Sequence, residues 1–191
     1  MSNTNAPFGF RQEGRTDGSA SNFGVATGFM LPAAAACFWG DPLIITAGYD
    51  SQAAVVNGGN QLSGVAESFK WVSISQQSVR WAQYWPGNDC VAGTFVEVRK
   101  VVDPASTFVV QANGGPVTQA NVGQFANFAA GGGGNTANGI SSYSLDTTTL
   151  SSVQGDLPLK IVGIVSAPSS DPTSQYNQVL VQLVNISGGL A

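Results

Sequence analysis

The feature that most restricts the fold is a series of short apolar stretches separated by glycine and proline. VATGFML (Val25 to Leu31) places alternate side chains on one side of a strand, LPLKIVGIVSAP (157–168) is the strongest stretch, and NQVLVQLVNI (177–186) is the last. No amphipathic helix of about ten residues can be placed between them. Closely spaced strands with such turns are typical of sandwiches and barrels. The sequence therefore predicts an all-β fold, a single antiparallel β-barrel or sandwich, jelly-roll-like or β-tulip-like.

The surface of this protein must be polar but poor in charge. Only 9% of the 191 residues are charged, the net charge is −4, and the chain has 7 Lys and Arg. These cations are scattered, which excludes a basic face for direct nucleic-acid binding. A surface with so few charges gives a free monomer little protection against self-association. Such a surface suits a subunit that is packed among other subunits. An ordinary β protein with an uncharged surface is the alternative.

Local patterns add detail to the predicted strands. GVAESFKWVSI (64–74) alternates, with Ala66, Ser68 and Lys70 on the face opposite Phe69 and Trp71. Thr118 is placed to cap one short helical turn that ends before Gly123. The GGGGN run (131–135) has no following Lys-Ser or Lys-Thr pair, so it predicts a turn and not a phosphate loop.

Residues 1–22 show neither helical nor strand periodicity and predict an extended N-terminal arm ahead of a β domain at 23–191. Phe8, Phe10 and Phe23 would suit pockets on a neighbouring subunit, and Arg11 and Arg15 would suit its carboxylates. In the alternative interpretation, the arm packs back on its own domain. The arm is the segment in which we expect function to lie.

A second group of candidates is aromatic. Trp81, Tyr84 and Trp85 lie close together in QQSVRWAQYWPGND (76–89). They could line a sugar site, but the region lacks charged partners at usable spacing, which favours a role in the core or at a subunit interface.

Enzyme chemistry finds little support in the sequence. The chain has no histidine, which excludes Ser-His and Cys-His pairs and histidine-ligated metals. Its eleven carboxylates are dispersed, and several adjoin Gly or Pro in turns. We expect no enzyme, no cofactor and no metal site. The sequence predicts that Cys37 is a small buried residue and that Cys90 is exposed in a loop. A disulfide between the two is an alternative.

Apolar runs are too short to span a bilayer, and the first residues lack the features of a secretion signal. We therefore expect no membrane partner and a protein used without export.

Several segments together carry a resemblance to a known family. They are NAPFGFR (5–11), LPAAAACFWGDPL (31–43), FVVQANGGPVTQANVGQFANF (108–128), SYSLDTTTL (142–150) and the stretch from Leu159 to Ile186. In order and spacing over nearly the full chain, they resemble tailed-bacteriophage capsid cement or decoration proteins, which are minor structural virion proteins. Similar sequences often carry more charge in the middle, whereas residues 76–89 are aromatic and polar here.

The resemblance implies a virion protein, assembled in the host cytoplasm, that binds the outer surface of the capsid lattice. Its partners would be the major capsid protein and other copies of itself, with a homotrimer as the expected state. It would bridge neighbouring capsid subunits and stabilise the shell, and it implies no catalytic residues. The competing prediction is a carbohydrate- or receptor-binding β module on the virion surface.

Overall fold

The computed structural model describes residues 3–19, 25–54, 61–131, 133–167 and 170–186. Phe23 and the predicted domain boundary at 22/23 lie outside these residues. Strands dominate the described part, whose one helical element is a 3-10 turn at Gln119–Asn121. The strands are β1 (Arg11–Arg15), β2 (Val25–Met30), β3 (Cys37–Phe38), β4 (Pro42–Thr46), β5 (Tyr49–Gln52), β6 (Gly64–Ser73), β7 (Ser78–Ala82), β8 (Tyr84–Trp85), β9 (Val96–Val101), β10 (Ser106–Asn113), β11 (Phe125–Ala129), β12 (Ser144–Ser151), β13 (Leu159–Ile164) and β14 (Gln178–Leu183). The all-β prediction is confirmed, as is the short turn after Thr118.

Five strands close into a barrel in the order β10, β12, β11, β13, β14 and back to β10. Alternation in β10 and β14 turns one face of each strand inward, where Phe108, Val110, Val179 and Val181 are fully buried. Most seams are antiparallel, as predicted. The seam between β10 and β12 is parallel and includes the pairs Ala112 with Leu145 and Asn113 with Asp146.

The N-terminal segment lies along its own domain. Strand β1 pairs antiparallel with β10 on the edge that β12 leaves free, with Arg11 opposite Val109. The Asn3 side chain donates to the carbonyls of Asp171 and Tyr176, both at 3.1 Å. Phe10 belongs to the core beneath β10. Within residues 3–19, Arg11–Arg15 form a strand and residues 16–18 form a turn. The prediction of a separate arm is corrected for this segment, because its backbone pairs with β10 and the Phe10 ring is buried within the same chain.

The remaining long strands form a second sheet in the order β2, β9, β6, β4, β5, and β7 pairs with the end of β6. A bulge between Ala66 and Ser68 shifts the alternation of β6. Ala66 therefore shares the inner face with Phe69 and Trp71, and its predicted placement on the opposite face is wrong. The sheet curls around a second core that also includes Met30.

Strand β5 lies against β2 across the open side of this sheet, and a buried ion pair stabilises this contact. Lys100 donates to the Asp50 carboxylate at 2.6 Å, and the Ser63 hydroxyl donates to the same oxygen at 2.6 Å. A Cβ on Gly28 in β2 would lie 1.7 Å from the other Asp50 oxygen. Glycine at position 28 therefore lets the carboxylate reach its partners.

The Gly40-Asp41-Pro42 turn joins the two halves of the molecule. Phe10 N–H donates to the Gly40 carbonyl, and Gly40 N–H donates to the carbonyl of Ala66 in β6. Gly40 has φ +89°, and a Cβ there would come 3.0 Å from the Phe10 nitrogen. One Asp41 oxygen accepts from Phe38 N–H at 2.8 Å and from the Gln52 amide at 2.7 Å. This turn is thus the joint that ties the N-terminal segment to the second sheet.

Both cysteines are free and buried. Cys37 is fully buried as predicted, and Cys90 is also buried, so its predicted exposure is wrong. Strands β3 and β6 and the ring of Trp85 enclose these thiols within the second core.

Candidate partner-binding surface

Two of the sequence-predicted interface residues lie in the interior. Phe10 is 1% exposed in the first core and Trp85 is 0% exposed in the second. The Trp85 indole donates to the Ala34 carbonyl at 3.2 Å and meets the Trp71 ring edge-on at 5.3 Å between centroids. Their prediction as partner anchors is corrected, because neither ring has a face left for another molecule.

The two predicted arginines differ in their partners. Arg15 binds two carboxylates of its own chain, those of Asp17 and Asp103. The Arg15 guanidinium and the Ser19 hydroxyl and N–H hold the pKa of Asp17 well below its usual range. Arg11 instead lies between two rings, 4.8 Å from the centroid of Phe8 and 5.1 Å from that of Trp39.

The three neighbouring aromatic residues do not form one platform. Trp81 is 62% exposed on β7, whereas Tyr84 is half-buried and stacks on Phe38 with centroids 5.7 Å apart. Trp85 points into the core from the same short strand as Tyr84. Only Trp81 of the three offers a largely open ring.

The outward side of the second sheet carries a row of four residues on four neighbouring strands. Phe29 on β2 lies opposite Glu97 on β9, Glu97 lies opposite Lys70 on β6, and Lys70 lies opposite Trp81 on β7. The Lys70 ammonium binds both Glu97 oxygens, at 2.9 and 3.0 Å, and stands 5.1 Å from the Trp81 ring centroid. An ion pair is thus flanked by an aromatic ring on each side.

More apolar side chains extend this row. Phe95 meets Phe29 edge-on at 6.3 Å and stacks on Tyr49 at 5.4 Å between centroids. Val79 lies two residues before Trp81 on the outward side of β7, and Leu31 follows Phe29 on the same side of β2. We call this surface the aromatic face; it consists of Phe29, Leu31, Tyr49, Lys70, Val79, Trp81, Phe95 and Glu97.

The aromatic face is unusually exposed for its composition. Five of its apolar side chains expose between 44% and 62% of their area: Phe29, Leu31, Val79, Trp81 and Phe95. A groove of about 340 Å³, lined by Leu31, Tyr49 and three alanines at 33–35, adjoins it. Contiguous exposed apolar surface with polar groups among it is typical of sites that bind other macromolecules.

A carboxylate at the end of the β6–β7 hairpin fixes the position of the face. Asp89 accepts from the Ser73 hydroxyl at 2.7 Å, from Ser75 N–H at 3.0 Å and from the Trp71 indole at 3.1 Å. These donors hold the pKa of Asp89 well below its usual range. The hairpin that carries Val79 and Trp81 is therefore anchored to the second core by charge-assisted hydrogen bonds.

The described residues meet neither the requirements of a metal site nor those of a membrane-spanning helix. No cluster of three or more acidic or cysteine side chains able to hold a metal ion occurs among them. In the same part of the chain, no helix has the length and apolarity to cross a membrane. The absence of enzyme activity stays a prediction.

Sequence reasoning missed Phe29, Tyr49 and Phe95 as candidate binding residues. The alternation in VATGFML placed Phe29 and Leu31 together on one side of a strand, and the structure shows that this side points outward. Tyr49 begins β5 and Phe95 directly precedes β9, so only the folded chain brings Phe95 beside Phe29 and Tyr49 beside Phe95. In comparisons with protein-family models, curated proteins and solved structures, nothing matches this chain.

Proposed function

We propose that this protein is a structural virion protein that binds the outer surface of a phage capsid lattice and stabilises it. The observation that carries the proposal is the aromatic face, a large outward apolar surface on a protein with only 9% charged residues. Aromatic side chains are enriched at the energetic centre of protein interfaces. The sequence resemblance described above supplies the kind of partner.

The mechanism is additive across the shell. Each copy, acting as part of a trimer, places its aromatic face on neighbouring major capsid subunits. An apolar anchor fully buried there contributes about 1.5 to 3 kcal/mol. Many symmetric copies add such contributions over one particle, so a modest contact stiffens the whole lattice.

Co-sedimentation with empty capsids tests this proposal. Light scattering first gives the mass of the free protein, for which we expect a trimer. The wild-type protein should pellet with capsids, and Phe29→Ser and Trp81→Ser should each lower the bound fraction at least about tenfold. Val153→Ser is the matched control, because Val153 is 70% exposed and lies outside the aromatic face. Equal pelleting of all four proteins would reject the aromatic face as the contact, and no pelleting of wild type would reject the capsid partner.

The exposed ring of Trp81 supports a second candidate, a carbohydrate- or receptor-binding module. A sugar would stack on Trp81, with Lys70 beside it to donate hydrogen bonds to the sugar hydroxyl groups and Glu97 to accept hydrogen bonds from them. Retention on immobilised host glycans, lost in Trp81→Ser and kept in Phe29→Ser, distinguishes this function from capsid binding, in which both rings take part.

A further inference from the structure

A second groove lies on the outside of the first barrel, away from the aromatic face. It has a volume of about 600 Å³, within the range of ligand sites. Its apolar wall is made by Val109, Ile164, Val165 and Leu180. Ser166 and Gln178 add polar groups, and Phe8 and Arg11 form the side contributed by the N-terminal segment.

Arg11 lines this groove. The central carbon of its guanidinium lies over two rings, 4.8 Å from the Phe8 centroid and 5.1 Å from the Trp39 centroid, at cation–π distance. The Nε atom is buried without a hydrogen-bond partner, and among the described residues Arg11 forms no ion pair. By contrast, Arg15, Lys70 and Lys100 each bind a carboxylate of the chain.

The Nε atom is closed to solvent, so a ligand in the groove meets the two terminal nitrogens of the guanidinium. Their planar fork matches a carboxylate, which can accept two parallel hydrogen bonds from it. The contacts with the two rings restrict the side chain, so less rotamer entropy is lost on binding. The apolar wall across the groove fits an aliphatic group attached near that carboxylate.

We propose that this groove binds an extended segment of a partner protein in which an acidic side chain stands beside an aliphatic one. The acidic side chain binds Arg11, and the aliphatic one packs on Val109 and Leu180. Glu13, exposed at the rim on the same strand, disfavours a second negative charge there and so limits the segment to a single acidic residue. Because it names the chemistry of a second contact with the capsid partner, this inference rests on the proposed function.

The test is an NMR titration of the full chain with two peptides that differ only in charge, N-acetyl-leucyl-glutamyl amide and N-acetyl-leucyl-glutaminyl amide. We expect the glutamyl peptide to shift the Arg11 Nε–H resonance and to bind at least about tenfold tighter than the glutaminyl one. Inorganic phosphate is a third probe. It should bind weakly, because it has no group for the apolar wall.

Variants locate the site. Arg11→Gln should abolish the preference for the glutamyl peptide, and Arg11→Lys, which keeps the charge but loses the fork, should retain only part of it. Arg80→Gln removes an exposed arginine on β7 and should leave the preference unchanged. Equal affinity for the two peptides, phosphate binding as tight as that of the glutamyl peptide, or the same loss in Arg80→Gln would each overturn the proposal.

The titration contains no capsid, so its outcome is separate from that of the pelleting assay. If the peptides show no preference while wild type pellets with capsids, only the groove proposal fails. If the preference is found and pelleting is not, only the capsid proposal fails.

Discussion

At the scale of the residue, charge is scarce, and among the described residues three charged side chains are buried: Asp41, Asp50 and Lys100. Asp50 and Lys100 are paired and almost fully buried, and Gly28 leaves room for them. Asp41 lies at the joint between the sheet and the barrel. A buried charged group that loses its partner costs much free energy in an apolar interior. Substitutions that remove the partners of these groups should therefore destabilise the fold strongly.

The ion pair can be measured by a double-mutant cycle. Lys100→Met strands the Asp50 carboxylate and should lower the free energy of unfolding by about 3 to 5 kcal/mol, whereas adding Asp50→Leu should recover much of that loss. Denaturant unfolding gives the three differences. Independent, additive effects of the two substitutions would mean that the pair does not act as a unit.

Gly28→Ala should also destabilise the fold, by about 2 kcal/mol or more, since its methyl group would displace the Asp50 carboxylate. Gly163→Ala is the matched control in a strand, because a Cβ there meets Leu180 at an ordinary 3.5 Å. Thermal unfolding of the two variants compares them. A smaller effect at position 28 than at 163 would contradict the close approach of Asp50 to β2.

Asp41 should make stability depend on pH. Burial raises the pKa of its carboxyl above the ordinary value of 3.8, so the folded state binds more protons than the unfolded state within that window. Stability should therefore fall as the pH rises from about 3.8 through the raised pKa. Asp41→Asn should remove this slope, which denaturant midpoints between pH 4 and 8 would show. An unchanged slope would assign the pH dependence to other groups.

At the scale of the element, the N-terminal segment shows where sequence reasoning reached its limit. The short strands of the core follow from alternation and turns, and the sequence predicts β2, β6 and β14 close to their observed bounds. The sequence does not decide whether residues 1–22 form a free arm or pair with their own domain. A segment without periodicity is compatible both with a free arm and with an edge strand that has a bulge at 12–14. The register that places Phe29 opposite Glu97 depends on long-range pairing, which local patterns do not encode.

The N-terminal segment should therefore act as part of the core through Phe10, which directly precedes β1. Phe10→Ala should lower the free energy of unfolding by about 3 to 5 kcal/mol, because it leaves a cavity where the buried ring packs in the core. Phe8→Ala, which removes a partly exposed ring two residues earlier, should cost less. Denaturant unfolding measures both, and a cost at position 10 no larger than at position 8 would restore the free-arm interpretation.

At the scale of the whole molecule, two cores share one continuous piece of sheet. Val65 and Val101 belong to the first core, whereas Ala66 and Val98 on the same two strands belong to the second. Strands β6 and β9 cannot unravel on one side without exposing apolar side chains on the other. The two halves are consequently expected to unfold together.

This cooperativity can be checked with tryptophan fluorescence, which reports on the second core through Trp71 and Trp85, and with amide exchange in β10 and β14 of the first barrel. Both should give the same free energy of unfolding, and calorimetric and van't Hoff enthalpies should agree. Two separated transitions would show that the halves are independent folding units.

The two buried thiols provide a chemical probe for opening of the second core. Cys37 and Cys90 both lie in that core, and the first core has no cysteine among its buried residues. Burial raises the pKa of the Cys37 thiol well above its ordinary value, which keeps it unreactive while the fold is closed. Alkylation followed by mass spectrometry would thus report the opening of the second core with no label introduced.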